Sequence, residues 1–268
     1  MNEDKKVVHL MEDMDNSEDS TETVAGKWTG RKGIYLLPNL FTTGALFSGF
    51  YAIVASMNGN FDNAAIAIFI AMILDGMDGR VARMTNTQSD FGAEYDSLAD
   101  MVSFGVAPAL VSFTWALQDL GKVGWVAAFV YCAGAALRLA RFNTQLAVAD
   151  KNFFTGLASP SAAAIVAGTV WVFSDSGIAG ADVAWLMAVI VPAAGLLMVS
   201  NVRYHSFKGL DLRGKVPFVA LLAVVLVFVV VSIDPAKVLL GVFMAYALSG
   251  PAYEIWTRMQ AKKTSGES

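Results

Sequence analysis

The chain has 268 residues, of which 56% are hydrophobic and 16% are charged, with a mean hydropathy of +0.53 and a formal net charge of −4. Soluble domains usually contain about 45–50% apolar residues, so this composition excludes an ordinary soluble domain and predicts a membrane protein. The acidic balance argues against nucleic-acid binding. A single cysteine excludes an intramolecular disulfide.

The termini differ in composition from the rest of the chain. Residues 1–24 are acidic and lack the apolar core of a secretory signal, so we expect a disordered cytoplasmic tail. Residues 25–37 mix lysine and arginine with tryptophan, tyrosine and leucine, a composition typical of a helix lying at the membrane interface. We expect residues 257–268 to form a second cytoplasmic tail.

Residues 38–256 are predicted to form one transmembrane domain. A membrane-spanning helix needs about 20 residues, and eight apolar stretches approach or exceed this length. We therefore expect an all-α integral membrane protein with about eight transmembrane helices. The stretches are 38–57, 61–82, 92–117, 122–145, 157–174, 183–202, 216–232 and 236–256.

The basic residues favour one orientation in the membrane. All but two of the 19 lysines and arginines lie in the termini or beside every second connection between spans, and the exceptions are Lys122 and Lys237. Cytoplasmic loops carry an excess of lysine and arginine. This distribution predicts a multi-pass protein of the cell (inner) membrane with both termini in the cytoplasm.

The connection between the second and third stretches, DGMDGRVARMTNTQSDFGAEYDSLAD, holds four aspartates at helical spacing. Asp75 and Asp78 share one helical face, and Asp96 and Asp100 share another. Two helices that meet along these faces would bring four repelling carboxylates together. A hard divalent cation relieves that repulsion, and oxygen ligands suit Mg²⁺, Mn²⁺ or Ca²⁺. The pattern predicts a metal site at the cytoplasmic side.

Small and basic residues accompany these aspartates. Gly79 and Gly92 lie on the same two faces and would let a bulky ligand approach the backbone closely. Arg83 follows directly and is suited to binding a phosphate oxygen. Carboxylates, open backbone and arginine together indicate a substrate that contains a pyrophosphate. A polar loop rich in aspartate by chance would not form two coherent helical faces.

The pattern of these residues resembles the signature of the CDP-alcohol phosphotransferase superfamily at every position. It reads Asp75-x2-Asp78-Gly79-x2-Ala82-Arg83-x8-Gly92-x3-Asp96-x3-Asp100. The resemblance implies a six-helix core, here extended by two helices, and a homodimer. It also implies two divalent ions, held by all four aspartates. Asp100, the last carboxylate of the motif, is our candidate for the general base, and the resemblance implies the same role.

The donor is expected to contact residues at the cytoplasmic ends of the first three spans. The candidates for CDP binding are Asn39, Thr42, Asp75, Gly79, Arg83 and Gly92.

Some of these polar residues have an alternative role as helix caps. Asn39 and Thr42 follow Pro38, so capping of the first helix competes with ligand binding. We expect Ser89 and Asp90 to cap the third helix rather than to bind a ligand.

Three further stretches, 138–143, 154–161 and 199–208, fall at cytoplasmic ends of spans and are expected to surround the acceptor. Together with LPNLFTTGALFSGFYAI near the start, they resemble the membrane-embedded phosphatidylserine synthases of bacteria and archaea over roughly residues 33–215. That resemblance implies transfer of a phosphatidyl group from CDP-diacylglycerol, bound among membrane lipids, to L-serine. The candidate acceptor contacts are Arg138, Arg141, Asn143, Ser200, Arg203 and Lys208.

Charge alone does not identify the acceptor. Glycerol 3-phosphate or inositol phosphate would use the same cations, and Arg203 and Lys208 also fit a purely topological role in a cytoplasmic loop. A cation-coupled transporter would also bind ions through aspartates. Transport predicts carboxylates near the bilayer centre and an inverted repeat, whereas the carboxylates here occupy one stretch at the cytoplasmic edge.

Overall fold

The computed structural model describes residues 32–145, 153–205 and 218–264. These residues form eight longer helices, one 3-10 turn (Gly180–Val183) and one two-stranded ribbon. The helices are α1 (Lys32–Met57), α2 (Phe61–Thr85), α3 (Asp90–Leu120), α4 (Lys122–Gln145), α5 (Ser159–Asp175), α6 (Ala184–Val199), α7 (Phe218–Ile233) and α8 (Pro235–Thr264), and the strands are β1 (Phe153–Thr155) and β2 (Arg203–His205).

Five of the described helices, α1, α3, α4, α6 and α8, are long and apolar enough to cross a membrane. The chain is therefore a helical membrane protein. Helices α5 and α7 have only 17 and 16 described residues, and the last turns of α2 carry the charged motif. The eight predicted stretches correspond to the eight described helices, whereas eight membrane crossings stay a prediction.

The predicted interfacial segment 25–37 is described only in part. Residues 32–37 form the first turns of α1, which continues through Pro38 without a break. Residues 25–31 and the predicted acidic tail 1–24 lie outside the described residues. At the other terminus, residues 257–264 continue α8, and residues 265–268 are not described.

Helices α1 and α2 pack closely because small side chains line their contact. The short link 58–60, which includes Gly59 at φ +76°, makes the two helices antiparallel neighbours. Ala52 of α1 and Ala64 of α2 are fully buried. Small residues let helix backbones approach closely, which is the usual basis of helix association in membranes. This packing brings the start of α1 beside the motif at the end of α2.

Helix α3 widens into π-helical turns at Met101–Val106 and Phe113–Leu117. Such turns are frequent at functional sites, and the first begins directly after Asp100. Within it, Ser103 donates a hydrogen bond of 3.0 Å to the carbonyl of Ala45. A Cβ added at Gly49 would lie 2.7 Å from the Ser103 Cα atom. The close contact holds α3 against α1 about one turn beyond Asp100.

Helices α4 and α6 also meet through glycine. A Cβ at Gly134 would lie 2.5 Å from the carbonyl oxygen of Gly195, and a Cβ at Gly195 would lie 2.7 Å from the Tyr131 Cα atom. The Tyr131 side chain is fully buried, and its hydroxyl donates a hydrogen bond of 2.9 Å to the carbonyl of Phe104 on α3. Helix α4 is therefore anchored between α3 and α6.

The described residues confirm the predicted all-α class, to which they add one short ribbon that the sequence did not predict. Strands β1 and β2 pair antiparallel, with Phe154 opposite Tyr204, so they join the link before α5 to the link after α6. The Tyr204 side chain is fully buried, and its hydroxyl donates to the carbonyl of Ala247 on α8 at 3.0 Å. The pairing continues where the Gly156 N–H donates to the Val202 carbonyl at 2.8 Å. Both links are thereby fixed beside the start of α5.

Helix α8 begins with a charged cap. The Asp234 carboxylate accepts hydrogen bonds from the Lys237 ammonium at 2.7 Å and from the Lys237 backbone N–H at 3.1 Å. The first of these bonds, helped by the second, lowers the pKa of Asp234 below its usual value. The cap explains the short turn between α7 and α8.

Candidate active site

The aspartate-rich stretch forms the end of α2, a short link and the first half of α3. Helix α2 ends at Thr85 and is capped by Asn86, whose left-handed backbone at φ 52° lets its N–H bond to the Ala82 carbonyl. Helix α3 then starts at Ser89, whose hydroxyl accepts a hydrogen bond of 3.0 Å from the Gly92 N–H. The prediction that Ser89 caps this helix is confirmed. Asp90 lies in the first turn, where a negative charge is favourable.

The sharp turn brings the carboxylates of the two helices together. One oxygen each from Asp75, Asp78 and Asp96 lies within 4.8 Å of the others. The carboxyl groups of Asp75 and Asp100 lie within hydrogen-bonding reach, as do those of Asp78 and Asp96. The four aspartates that the sequence groups by spacing therefore form one carboxylate cluster.

The carboxylate cluster fits a divalent metal ion. The buried Oδ1 of Asp96 has no hydrogen-bond partner among the described residues. A buried carboxylate oxygen without a partner is unfavourable, and so are several carboxylates in contact. A cation removes both penalties, and an all-oxygen donor set suits Mg²⁺, Mn²⁺ or Ca²⁺. Asp75, Asp78 and Asp96 are the ligands that this geometry supports best, with Asp100 adjacent.

Helix α1 contributes Thr42 to the carboxylate cluster. The Thr42 side chain is buried, and its hydroxyl donates a hydrogen bond of 2.8 Å to Asp78 Oδ2 and lies 3.2 Å from the Pro38 carbonyl. The alternative that Asn39 and Thr42 cap the first helix is wrong, because both lie inside α1, which is already helical at Lys32.

A cavity of about 400 Å³ opens beside the carboxylate cluster. Its size suits a small polar ligand or a headgroup. Five of the six candidate CDP contacts line it, and Asp75 is the exception. The lining consists of Pro38, Asn39, Thr42, Asp78, Gly79, Ala82, Arg83, Thr87, Gln88, Ser89, Asp90, Gly92, Ala93 and Asp96.

The glycine at position 79 has no role in packing. A Cβ added at Gly79 would meet no described atom within 4 Å. Glycine is unfavourable inside a helix by about 1 kcal/mol relative to alanine. Its position in the cavity wall, one turn before the exposed Arg83, leaves a passage to the backbone next to Asp78.

Arg138 of α4 lies near Asp100 and does not line the cavity. Its Nη1 atom donates a hydrogen bond of 2.7 Å to the Ser159 hydroxyl, which is fully buried at the start of α5. The guanidinium also interacts electrostatically with Asp100 and with Tyr246 of α8. The structure therefore places one of the candidate acceptor residues next to the carboxylate cluster.

Arg141 and Asn143 make contacts between helices. Arg141 Nη2 donates to Asn201 Oδ1 at 3.0 Å, and its Nη1 lies 3.5 Å from the Val199 carbonyl at the end of α6. Asn143 Nδ2 donates to the Ser97 hydroxyl at 3.1 Å. Both side chains join the C-terminal end of α4 to its neighbours.

Among the remaining acceptor candidates, only Ser200 has a described side chain. The Ser200 hydroxyl donates to the carbonyl of Leu197 at 2.8 Å, a local bond at the end of α6. The backbone of Arg203 belongs to β2, but its side chain is not described, and Lys208 lies outside the described residues.

The chain is similar to known proteins over the residues that form this site. The family model described as CDP-alcohol phosphatidyltransferase matches residues 35–200. A protein from Helicobacter pylori named CDP-diacylglycerol–serine O-phosphatidyltransferase is 36% identical over 215 residues, which cover 80% of this chain and 90% of the relative. A protein of the same name from Methanocaldococcus jannaschii is 34% identical over 188 residues, with 70% and 82% covered. One from Bacillus subtilis is 33% identical over 172 residues, with 64% and 91% covered.

Proposed function

The chain belongs to the CDP-alcohol phosphatidyltransferase family, and from this premise we propose that it transfers the phosphatidyl group of CDP-diacylglycerol to L-serine, giving phosphatidylserine and CMP. The observation that carries the proposal is the position of the carboxylate cluster. The cluster borders the cavity lined by Gly79 and Arg83, and its member Asp100 interacts electrostatically with Arg138, which does not line that cavity. Donor and acceptor would thus be bound by different residues around the same aspartates.

The cavity is the proposed site of the CDP group. Asn39 and Thr42 of α1, Gly79 and Arg83 of α2 and Gly92 of α3 line it. Arg83 would bind a phosphate oxygen, and the absent side chains at the glycines would let the diphosphate lie against the backbone. The acyl chains would stay in the bilayer. The donor therefore needs only this headgroup site inside the protein.

The diphosphate would be bound next to the carboxylate cluster. Asp75, Asp78 and Asp96 are the proposed metal ligands, with Asp100 shared between metal binding and catalysis, and the site would hold two Mg²⁺ or Mn²⁺ ions, with Ca²⁺ also able to bind. When bound, the ions would neutralise charge on the diphosphate and on departing CMP. Thr42 would keep Asp78 oriented through its hydrogen bond.

Asp100 is the proposed general base. It would accept the proton of the serine hydroxyl while the hydroxyl oxygen attacks the phosphorus that carries diacylglycerol. The new bond joins serine oxygen to phosphorus, and the phosphoanhydride bond to CMP breaks. No described residue requires a covalent intermediate, so one in-line displacement suffices. A chiral phosphorothioate donor would then show inversion at phosphorus, and retention would contradict this step.

The proposed reaction is tested by acceptor-dependent CMP release. Purified protein would receive CDP-diacylglycerol, Mg²⁺ or Mn²⁺, and either L-serine, glycerol 3-phosphate or inositol phosphate. We expect CMP with serine only, and loss of at least about a hundredfold in kcat for Asp100→Asn. Release with a phosphorylated acceptor instead would keep the catalytic site and overturn serine as the acceptor. No release with any acceptor would contradict the transferase assignment of this site.

The proposal for the whole chain is a homodimer in the cell membrane with eight crossings. An interfacial helix over residues 25–37 would precede the transmembrane domain 38–256, and both tails and the active site would face the cytoplasm. The alternation of basic residues along the chain supports this orientation. The eight described helices provide enough elements for the crossings.

A further inference from the structure

Two arginines on the same face of α4 make different contacts. Arg138 and Arg141 are three residues apart, so their side chains start from neighbouring positions on the helix surface. Both are candidates for binding the acceptor. Their partners belong to different helices, however, because Arg138 reaches the start of α5 and Arg141 reaches the end of α6.

The contacts of Arg141 are those of a helix cap. Its two terminal nitrogens face Asn201 Oδ1 at 3.0 Å and the carbonyl of Val199, the last residue of α6, at 3.5 Å. Arginine near a helix C-terminus satisfies carbonyls that have no partner in the helix and interacts favourably with the helix dipole. Arg141 therefore has a sufficient structural role in fixing α4 to α6.

The hydrogen bond from Arg138 to Ser159 uses one of several guanidinium donors. The Ser159 hydroxyl engages Nη1 at 2.7 Å, whereas a guanidinium carries five N–H donors. Ser159 is fully buried and lies in the first turn of α5, so it is a rigid partner. The same guanidinium interacts with Asp100, the proposed base. Arg138 is thus a fixed, half-buried cation beside the reacting position.

A serine acceptor would need a cation close to Asp100 to bind its carboxylate. Only the Cβ and Cα atoms separate the hydroxyl oxygen of serine from its carboxylate. A serine whose hydroxyl is held at Asp100 therefore places its carboxylate very near Asp100 as well. In glycerol 3-phosphate the whole glycerol chain separates the attacking hydroxyl from the phosphate, so its anionic group would lie farther from the base. A planar guanidinium also matches a carboxylate with paired hydrogen bonds.

We propose that Arg138 binds the carboxylate of the acceptor, that Ser159 is the positioning residue that orients its guanidinium, and that Arg141 does not contact the acceptor. This inference rests on the proposed function, because it takes L-serine as the acceptor. It assigns acceptor selectivity to the junction of α4 and α5 and not to the basic residues that follow α6 in the sequence.

The test compares two acceptors that differ in the carboxylate. Serinol keeps the amine and hydroxyl of serine and replaces the carboxylate by a hydroxymethyl group. We would measure kcat/KM for both with the wild type, Ser159→Ala and Ser161→Ala. Ser161 is the control because it is a second buried serine in the first turn of α5. We expect the preference for serine over serinol to fall by roughly tenfold to a hundredfold in Ser159→Ala only, with the KM for CDP-diacylglycerol unchanged.

The two arginines provide a second comparison. Arg138→Lys keeps the charge but loses the planar fork, so the preference for serine should fall again. Arg141→Lys and Asn201→Ala should lower the thermal unfolding temperature and leave the preference unchanged. These three variants separate a contact with the acceptor from a contact that only holds α4 in place.

The outcomes distinguish the inference from the function on which it rests. If both Ser159→Ala and Arg138→Lys still use serine and keep the wild-type preference for serine over serinol, the inference is overturned and the proposed function is not. Loss of preference in Arg141→Lys would also overturn it, because that variant should only destabilise. Failure of the wild type to release CMP with serine, together with release with glycerol 3-phosphate, would instead overturn the proposed acceptor.

Discussion

The Thr42 hydroxyl on α1 donates a hydrogen bond of 2.8 Å to Oδ2 of Asp78 on α2. Both side chains are buried, and Asp78 belongs to the carboxylate cluster. The bond holds one carboxylate oxygen and so fixes the orientation of Asp78, one of the proposed metal ligands. Partners that orient a ligating carboxylate commonly affect metal affinity and activity by about 10–100-fold.

Thr42→Val should therefore weaken metal activation. Valine keeps the shape of threonine but removes the hydroxyl, so Asp78 would lose its partner. We expect the Mn²⁺ concentration for half-maximal CMP release to rise by roughly 10–100-fold. Thr43→Val is the matched control, because the Thr43 hydroxyl bonds to the Asn39 carbonyl at 2.7 Å and to Tyr95 at 3.0 Å, outside the cluster. An equal effect in the two variants would contradict this role.

Asp96→Asn should stabilise the metal-free protein and weaken metal binding. Without metal, removing one charge relieves repulsion within the carboxylate cluster. A relief of about 1 kcal/mol would raise the unfolding temperature of the metal-free protein by roughly 2–4 °C. The stabilisation that Mn²⁺ gives the wild type should disappear, together with CMP release, because a ligand is lost.

The measurement is thermal unfolding in detergent with chelator and with Mn²⁺. Glu94→Gln is the control, since Glu94 is an exposed carboxylate on the same helix and does not belong to the carboxylate cluster. A Mn²⁺-dependent stabilisation of Asp96→Asn as large as that of the wild type would exclude Asp96 as a ligand.

Gly79→Ala should impair donor binding without destabilising the fold. An added Cβ at Gly79 meets no described atom within 4 Å, but Gly79 lines the cavity. The methyl group would occupy space assigned to the diphosphate, so the KM for CDP-diacylglycerol should rise about tenfold, which corresponds to about 1.4 kcal/mol. Gly76→Ala is the control, because Gly76 is equally open and is absent from the cavity lining. Equal KM values for the two variants would place the donor elsewhere.

The helices and the carboxylate cluster follow from local patterns in the sequence. Apolar stretches near 20 residues long predict helices at the observed places. The spacing of Asp75 with Asp78 and of Asp96 with Asp100 predicts two helical faces that each carry two carboxylates. This prediction needs only the local sequence, because helical periodicity depends only on neighbouring residues. The capping role of Ser89 is equally local, since an N-cap serine bonds within its own first turn.

The partners of Arg138 and the ribbon do not follow from local patterns. Strands β1 and β2 pair across about 50 residues of sequence and are only three residues each, too short for a periodic signal. Ser159 precedes a proline, which indicates a helix start but not a contact with α4. Proline also misleads at Pro38, because α1 continues through it instead of starting there. These features depend on how distant helices pack.

The proposed orientation is testable by labelling single cysteines. In a Cys132→Ala background, Met84→Cys and Gln118→Cys each place one thiol at an exposed position. Met84 lies at the end of α2, shortly before α3 begins, and Gln118 lies near the end of α3, so a crossing by α3 would put the two thiols on opposite sides of the membrane. We expect a membrane-impermeant maleimide to label Gln118→Cys in intact cells, and Met84→Cys only after permeabilisation. The reverse pattern would overturn the cytoplasmic location of the active site. Labelling of both without permeabilisation would contradict a crossing by α3.

Gly156→Ala should test whether the ribbon supports the acceptor side. Gly156 has φ +83°, and an added Cβ would meet the carbonyl of Met198, so alanine would be both strained and obstructed. A loss of roughly 1–3 kcal/mol is expected from such a backbone position. Gly177→Ala is the control, because Gly177 has φ +72° but no described atom within 4 Å of an added Cβ. It should show only the smaller cost of strain, about 1 kcal/mol.

The ribbon variant should also change kinetics. Gly156 lies three residues before Ser159, and its N–H bond to the Val202 carbonyl fixes the link that leads into α5. Displacing that link would move Ser159 away from Arg138, so the KM for serine should rise in Gly156→Ala and the KM for CDP-diacylglycerol should not. Gly177→Ala should leave both constants unchanged. A rise in the donor KM alone would show that the ribbon supports the cavity side of the carboxylate cluster instead.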